Sequence, residues 1–248
     1  MKLFYFPKFK KIVANGITIG NLLCGCLSIS SSFHHDFLGS LAWIVLGLVL
    51  DFTDGLVARL LKTESELGKE LDSLSDLVSF GLAPAMIVYG YLDPIYGQNS
   101  GILRFLPEMA WMIPIFSAIR LGRFNLGKAQ YKEGFIGMPT PANALLIGSL
   151  PLVSISNPNI FLQLVLNPFL VFGFIILCSF WLISPIRLFN LKFTGFSWIQ
   201  NRIRFIFLII ESGFIVILLL IRQYYLIIPF ILFIYIIYSF FSYKTSKT

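Results

Sequence analysis

The stretch from Leu38 to Asp76 reads LGSLAWIVLGLVLDFTDGLVARLLKTESELGKELDSLSD, and it joins two kinds of sequence that rarely meet. Leu38–Leu50 carries no charge, and with the residues up to Leu61 it is long enough for a bilayer-spanning helix, which needs about 20 mainly apolar residues. Asp51 and Asp54 stand towards the end of that helix, and Asp72 and Asp76 near the start of the next. On a helix the first pair is spaced i,i+3 and the second i,i+4, so each pair shares a face. A short turn around Lys62–Glu66 sets the two helices antiparallel. The expectation is four carboxylates facing one another across a gap at one edge of a membrane.

The remaining sequence has the same apolar character. Of its 248 residues 57% are hydrophobic and 12% charged, against about 25% charged in a soluble domain. Mean hydropathy is +0.83. Eight spans are expected, near Ile12–Phe33, Leu38–Leu61, Ser73–Leu92, Met109–Leu121, Thr140–Ser156, Ile160–Ser184, Phe205–Ile221 and Tyr225–Phe241. No second compositional block or internal repeat interrupts them. The expected class is therefore all-α, a polytopic integral membrane helix bundle forming one domain over residues 1–248.

The net charge of +7 could suggest a nucleic-acid partner, but its placement argues against one. An even number of spans puts both termini on one side, and that side collects all of the 19 lysines and arginines except Arg104 and Arg222. Such residues mark cytoplasmic loops. Both termini, and the acidic edge with them, are expected at the cytoplasmic face of the cell membrane, where the positive charge also suits anionic lipid headgroups. Lys8, Lys10 and Lys11 before an apolar run imitate a secretory signal, but no small-x-small cleavage site follows, so the first span is expected to stay. Cys24 and Cys26 point about 200° apart on a helix. With Cys178 they read as packing residues, not as a disulfide or metal framework. His34 and His35 read as solvated residues of the first turn.

An aspartate at the centre of a membrane helix costs roughly 2.5–3.5 kcal/mol, and four uncompensated ones would approach about 10 kcal/mol. The cost falls near the interface, but mutual repulsion adds to it. Arg59, Lys62 and Lys69 are too few to neutralise the group and still hold a compact site. Hard divalent cations with oxygen ligands can do so, and Mg²⁺ usually binds through carboxylates together with substrate phosphates. Two such ions can clamp the attacking and leaving oxygens of a displacement. Gly55 follows Asp51 by four residues, Ala58 follows Asp54 by four, and Gly68 precedes Asp72 by four. Each acidic stripe thus keeps room for a phosphate-bearing ligand, and Arg59 offers a fork of donors suited to phosphate.

The pattern Asp51-x2-Asp54-Gly55-x2-Ala58-Arg59-x8-Gly68-x3-Asp72-x3-Asp76 resembles, at every position, the signature of the CDP-alcohol phosphatidyltransferases. The resemblance implies that Asp51, Asp54, Asp72 and Asp76 hold two divalent ions, Mg²⁺ or Mn²⁺. It implies further that Asp76 is the general base for the acceptor hydroxyl, and that Gly55, Ala58, Arg59, Ser65 and Gly68 line the CDP-lipid. Asn15-Gly16-Ile17-Thr18 resembles the family's N-terminal nucleotide-contacting stretch, which adds Asn15 and Thr18, and Asn21 lies further along the same helix. A homodimer is implied as well.

Three further runs, Lys69–Leu74 with Val78–Pro84, Arg120–Asn125 and Phe135–Ala142, resemble the phosphatidylserine synthases within that family. The substrates implied are CDP-diacylglycerol and L-serine. Serine brings a carboxylate, which Arg120 or Arg123 can grip with paired hydrogen bonds, and an ammonium, which Asn125 can accept. Gly137–Pro141 is expected to be a rigid, non-helical lead into the fifth span. Glycerol 3-phosphate or an inositol phosphate as acceptor would need extra cations, and the basic cluster with Lys128 and Lys132 does not exclude them. A cation transporter is disfavoured because the acids gather at one edge instead of crossing the bilayer. A non-catalytic lipid-binding scaffold would not require all four carboxylates.

Overall fold

The computed structural model describes residues 7–61, 65–127, 130–131, 134–189, 198–231 and 234–235. The chain is built from ten α-helices among these residues: α1 Pro7–Phe33, α2 Phe37–Leu61, α3 Glu66–Asp76, α4 Ala83–Tyr96, α5 Met112–Asn125, α6 Thr140–Gly148, α7 Leu150–Ser156, α8 Pro158–Leu166, α9 Pro168–Ile183 and α10 Trp198–Leu220. A π-helical turn, Leu77–Leu82, joins α3 to α4, and 3-10 turns at Gly101–Phe105 and Pro107–Trp111 lead into α5. The helical class expected from the apolar runs is what the fold has. A small antiparallel sheet accompanies it, with β1 (Gln130–Tyr131) pairing β2 (Gly134–Ile136), which pairs β3 (Arg187–Phe189).

Among the described residues, four helical stretches are long and apolar enough to cross a membrane: Lys11–Phe33, Phe37–Leu61, Glu66–Tyr96 and Gly101–Asn125. They coincide with the first four expected spans, and the third runs to 31 residues because the π-turn carries the helix through without a break. The expected spans beyond these are less regular. Thr140–Ser156 is interrupted at Ser149, just before Pro151, a residue with no N–H for the helical ladder. Ile160–Ser184 is divided by a bend of 88° between α8 and α9. Pro168 explains the bend, since it disfavours helical backbone at Asn167, and Asn167 Oδ1 then caps α9 by accepting from Phe169 N (3.0 Å) and Leu170 N (3.3 Å). The seventh expected span is the body of α10, and of the eighth the residues 232–233 and 236–241 lie outside the described ones.

The core surrounds α4. Ala85, Val88 and Leu92 pack with Ile113 of α5, Ile147 of α6, and Val171, Ile175 and Cys178 of α9. On the other flank Ala83 and Ile87 meet Phe80, Ile44 of α2 and Ala144 of α6. Outward faces remain apolar, with Ile19, Leu23, Val49, Phe172 and Ile217 all exposed, as lipid-facing helices require. At the end of the α1–α2 hairpin Ser28, Ser32 and Ser40 are buried together; Ser32 Oγ donates to Ser40 Oγ (2.8 Å) and Ser28 Oγ lies 2.7 Å from it. Small hydroxyl residues allow that close approach and satisfy one another across it. His34 and His35 lie exposed in the turn beyond, as expected. Cys24 and Cys178 are buried packing residues, whereas Cys26 faces outward.

Candidate active site

The site begins with two helix ends. α2 carries Asp51 and Asp54 in its last turns. After the connection, Ser65 takes an extended conformation (φ −141°, ψ 153°), and its Oγ accepts from Gly68 N at 3.1 Å, capping α3. Such a cap is worth about 1 kcal/mol, and it fixes where the helix bearing Asp72 and Asp76 starts. Asp51, Asp72 and Asp76 each present a carboxylate oxygen, all within 4.8 Å of one another, and all three residues are half-buried. At that spacing two ionised carboxylates repel by about 3 kcal/mol at an effective dielectric near 20. Asp54 stands outside this trio. It is buried, lies against Thr18, and its Oδ2 has no hydrogen-bond partner.

Between α2 and α3 the backbones scarcely touch. α1 packs along α2 and against α3, and the carboxylates reach across the gap between the latter two. Serines attach the second half of the site to α1. Ser75 Oγ donates to Thr18 O (3.1 Å) and Ser79 Oγ to Asn21 O (2.8 Å), while Thr18 Oγ1 is bonded to Ala14 O (3.2 Å). Asn21 is 0% exposed, and its Nδ2 donates to Asp76 Oδ1 at 3.4 Å. A Cβ at Gly25 would lie 2.5 Å from Ser79 Oγ and 2.8 Å from its Cα, so only glycine allows this approach of α1 to the π-turn.

Ser75, Ser79 and the π-turn escaped the sequence reading, since serine in an apolar run reads as packing. One signal was available. Pro84 has no N–H and its ring collides with the carbonyl four residues back; the ladder ahead of it shifts to i−5 pairing, with Ala83 N–H bonding Val78 O.

The positions expected to line a ligand divide into open and occupied ones. A Cβ at Gly16 would meet nothing within 4 Å, and one at Gly55 only Arg59 Nη2 at 4.0 Å. Ala58 is half-buried beside them. Arg59 is exposed, and its Nε donates to Gly55 O (2.8 Å), which turns the side chain back along its own helix. At Gly68 a Cβ would sit 3.1 Å from Ser65 Oγ and 3.5 Å from Asn15 Oδ1, so Asn15 of α1 reaches the start of α3.

On the far side Asn125 Nδ2 donates to Ser73 Oγ (2.9 Å), the residue after Asp72. Arg120, buried, donates Nη1 to Leu182 O (3.2 Å), and Arg123 donates to Ile183 O (3.5 Å). Both guanidiniums thus meet the last carbonyls of α9, where cations complement the helix dipole. Gly137 at φ +73° begins the lead into α6, and a Cβ there would strike Leu182 O. The lead is shorter than the expected Gly137–Pro141: it is non-helical up to Pro139, while Thr140 and Pro141 already lie in the first turn of α6, where a proline needs no N–H partner. Lys62, Thr63, Glu64, Lys128 and Lys132 lie outside the described residues.

A cluster of carboxylate oxygens on a membrane protein, with an unpartnered buried oxygen on Asp54 beside it, is a donor set suited to a hard divalent cation. The pattern of the CDP-alcohol phosphatidyltransferase family matches residues 11–238, and the chain belongs to that family. Its relatives include proteins named CDP-diacylglycerol–serine O-phosphatidyltransferase. That of Bacillus subtilis (strain 168) is 41% identical over 128 residues, covering 50% of this chain and 67% of the relative. That of Helicobacter pylori (strain J99) is 37% identical over 191 residues, 77% of this chain and 74% of the relative. A relative of the same name from Methanocaldococcus jannaschii is 37% identical over 135 residues, 54% of this chain and 58% of its own.

Proposed function

We propose that this protein transfers the phosphatidyl group of CDP-diacylglycerol to L-serine, forming phosphatidylserine and CMP. The observation that carries the proposal is the trio Asp51, Asp72 and Asp76, whose oxygens gather within 4.8 Å in a chain of this family. The name shared by the relatives supports serine as the acceptor over a phosphorylated alcohol. Asp51, Asp54, Asp72 and Asp76 would hold two divalent ions, Mg²⁺ or Mn²⁺. When bound, these neutralise the pyrophosphate and stabilise charge on the leaving group.

The chain's own residues do the rest. The lipid tails lie among the apolar helices, and the open surface at Gly16, Gly55 and Ala58, bordered by Asn15, Thr18, Ser65 and Gly68, receives the CDP moiety. Arg59 swings from Gly55 O to the phosphates. Asp76 takes the proton of the serine hydroxyl, whose oxygen then bonds the phosphorus that carries diacylglycerol. The bond from that phosphorus to the CMP oxygen breaks, and CMP departs with the electron pair. Arg120 and Arg123 face the serine carboxylate and Asn125 its ammonium. The chain acts as one membrane domain of eight spans, as a homodimer, with termini and site at the cytoplasmic face.

Purified protein given CDP-diacylglycerol, Mn²⁺ or Mg²⁺ and a panel of alcohols tests this reading. CMP release with serine, abolished by EDTA and restored by the metal, is the expected result. Release with glycerol 3-phosphate but not serine would overturn the acceptor, and full turnover in EDTA would overturn the metal.

A further inference from the structure

We infer that Asn21 is a positioning residue for the carboxylate cluster, fixing Asp76 from behind so that one of its oxygens is tied and the other is presented to the site. The inference rests on the functional reading above and adds a residue to which that reading gives no role. Asn21 is wholly enclosed and comes from α1, which supplies no carboxylate of its own. Its Nδ2 reaches Asp76 Oδ1 at 3.4 Å, across 55 residues of sequence. The amide is held on every side. Its backbone carbonyl takes the Ser79 hydroxyl at 2.8 Å, and a Cβ added at Gly47 would stand 3.0 Å from its Oδ1 and 3.5 Å from Cys24 Cβ. Gly47 lies one turn before Asp51 on α2, so Asn21 sits where α1, α2 and the π-turn converge. Its Oδ1 has no partner. A buried amide that leaves its acceptor unpaired yet spends its donor on a carboxylate is placed for that carboxylate, because packing alone would favour an apolar side chain.

Residues that orient a metal ligand without touching the metal alter affinity or activity by roughly 10–100-fold when removed. Asn21→Leu keeps the branched outline of the side chain and deletes the hydrogen bond. Binding of Mn²⁺ to the purified full chain, followed by electron paramagnetic resonance of the free ion, should weaken about 10–100-fold. The KM for CDP-diacylglycerol should stay within about twofold while kcat falls, as expected for an interaction that acts on the ligand's orientation. Gly47→Ala pushes on the same amide and should weaken Mn²⁺ in the same direction, so the test survives if Asn21→Leu does not fold. Ser79→Ala separates positioning from packing: it removes the bond to the Asn21 backbone, and should lower thermal stability while leaving Mn²⁺ affinity within about twofold. Unchanged Mn²⁺ binding in Asn21→Leu, or equal weakening in Ser79→Ala, overturns the positioning role. Wild-type protein that binds no Mn²⁺ overturns the functional reading itself, and this proposal with it.

Discussion

Asp54 differs from the other three aspartates in holding a buried oxygen that nothing satisfies. Leaving such a group unpaired costs about 1–3 kcal/mol, an amount that a bound cation would offset. Asp54→Asn should therefore lower CMP release by about two orders of magnitude or more, the scale of removing an electrostatic stabiliser at a reacting phosphate. Thermal unfolding in the absence of metal should be unchanged or slightly raised, since one repelling charge is gone. Unfolding curves with and without Mn²⁺ separate the two effects. The two arginines call for a divided expectation. Arg120 is buried against Leu182 O, so Arg120→Ala leaves a carbonyl at the end of α9 unsatisfied and should lower stability as well as serine binding. Arg123 is exposed and its bond to Ile183 O is long, so Arg123→Ala should act on serine with little loss of stability. Truncating a guanidinium paired to a carboxylate costs about 2–5 kcal/mol, or roughly 30-fold and upward in the KM for serine. Initial rates over both substrates, with serinol as an acceptor lacking the carboxylate, provide the measurement. A preference for serine over serinol that neither variant changes would place the carboxylate elsewhere.

Among elements, the contact of α1 with the π-turn leaves no room for a side chain. Gly25→Ala would put a methyl 2.5 Å from Ser79 Oγ and 2.8 Å from its Cα, and backbone cannot rotate away as a side-chain tip can. Overpacking of this kind typically costs about 1–3 kcal/mol. A lowered melting temperature is expected, with a parallel fall in kcat, because the displaced elements are those that carry Asn21 and Asp76. A variant with wild-type stability and turnover would show that α1 and the π-turn slide freely. This contact also marks how far sequence reasoning reached. The carboxylate spacing and the apolar runs are local patterns, and they placed α1, α2, the long third helix and the acidic trio. The bend at Asn167–Pro168 had its signal in the proline, but an apolar run of spanning length on both sides hid it. The π-turn, the packing of α1 against both α2 and α3, and the capping of α9 by Arg120 and Arg123 depend on which helices become neighbours. No window of sequence contains that information. For the same reason Asn21 reads in the sequence as one more polar residue of α1, and only the fold sets it beside Asp76.

At the scale of the whole molecule, the open physical question is which way the bundle faces. Arg59 and Lys69 stand on the two helices that carry the acidic cluster, and Arg120 and Arg123 near the end of α5 that meets Ser73, whereas the turn at Gly97–Ser100, at the opposite end of the third long helix, carries no charge. Moving a cluster of lysines and arginines across a bilayer is strongly unfavourable, so the charged end is expected on the side of synthesis. CDP-diacylglycerol and serine reach the site from that same side if the proposed reaction is correct. Single cysteines read the orientation directly: Thr63→Cys between α2 and α3, and Asn99→Cys in the turn before α5. Cys24 and Cys178 are buried and Cys26 is exposed, so Cys26 is first replaced by serine to leave a quiet background. A membrane-impermeant maleimide applied to intact cells should label Asn99→Cys and spare Thr63→Cys. Inside-out vesicles should give the reverse. Were Thr63→Cys labelled from outside, both the orientation and the access of a cytoplasmic CDP-lipid to Asp51, Asp72 and Asp76 would fail together, because the loop it occupies joins the two helices that carry them.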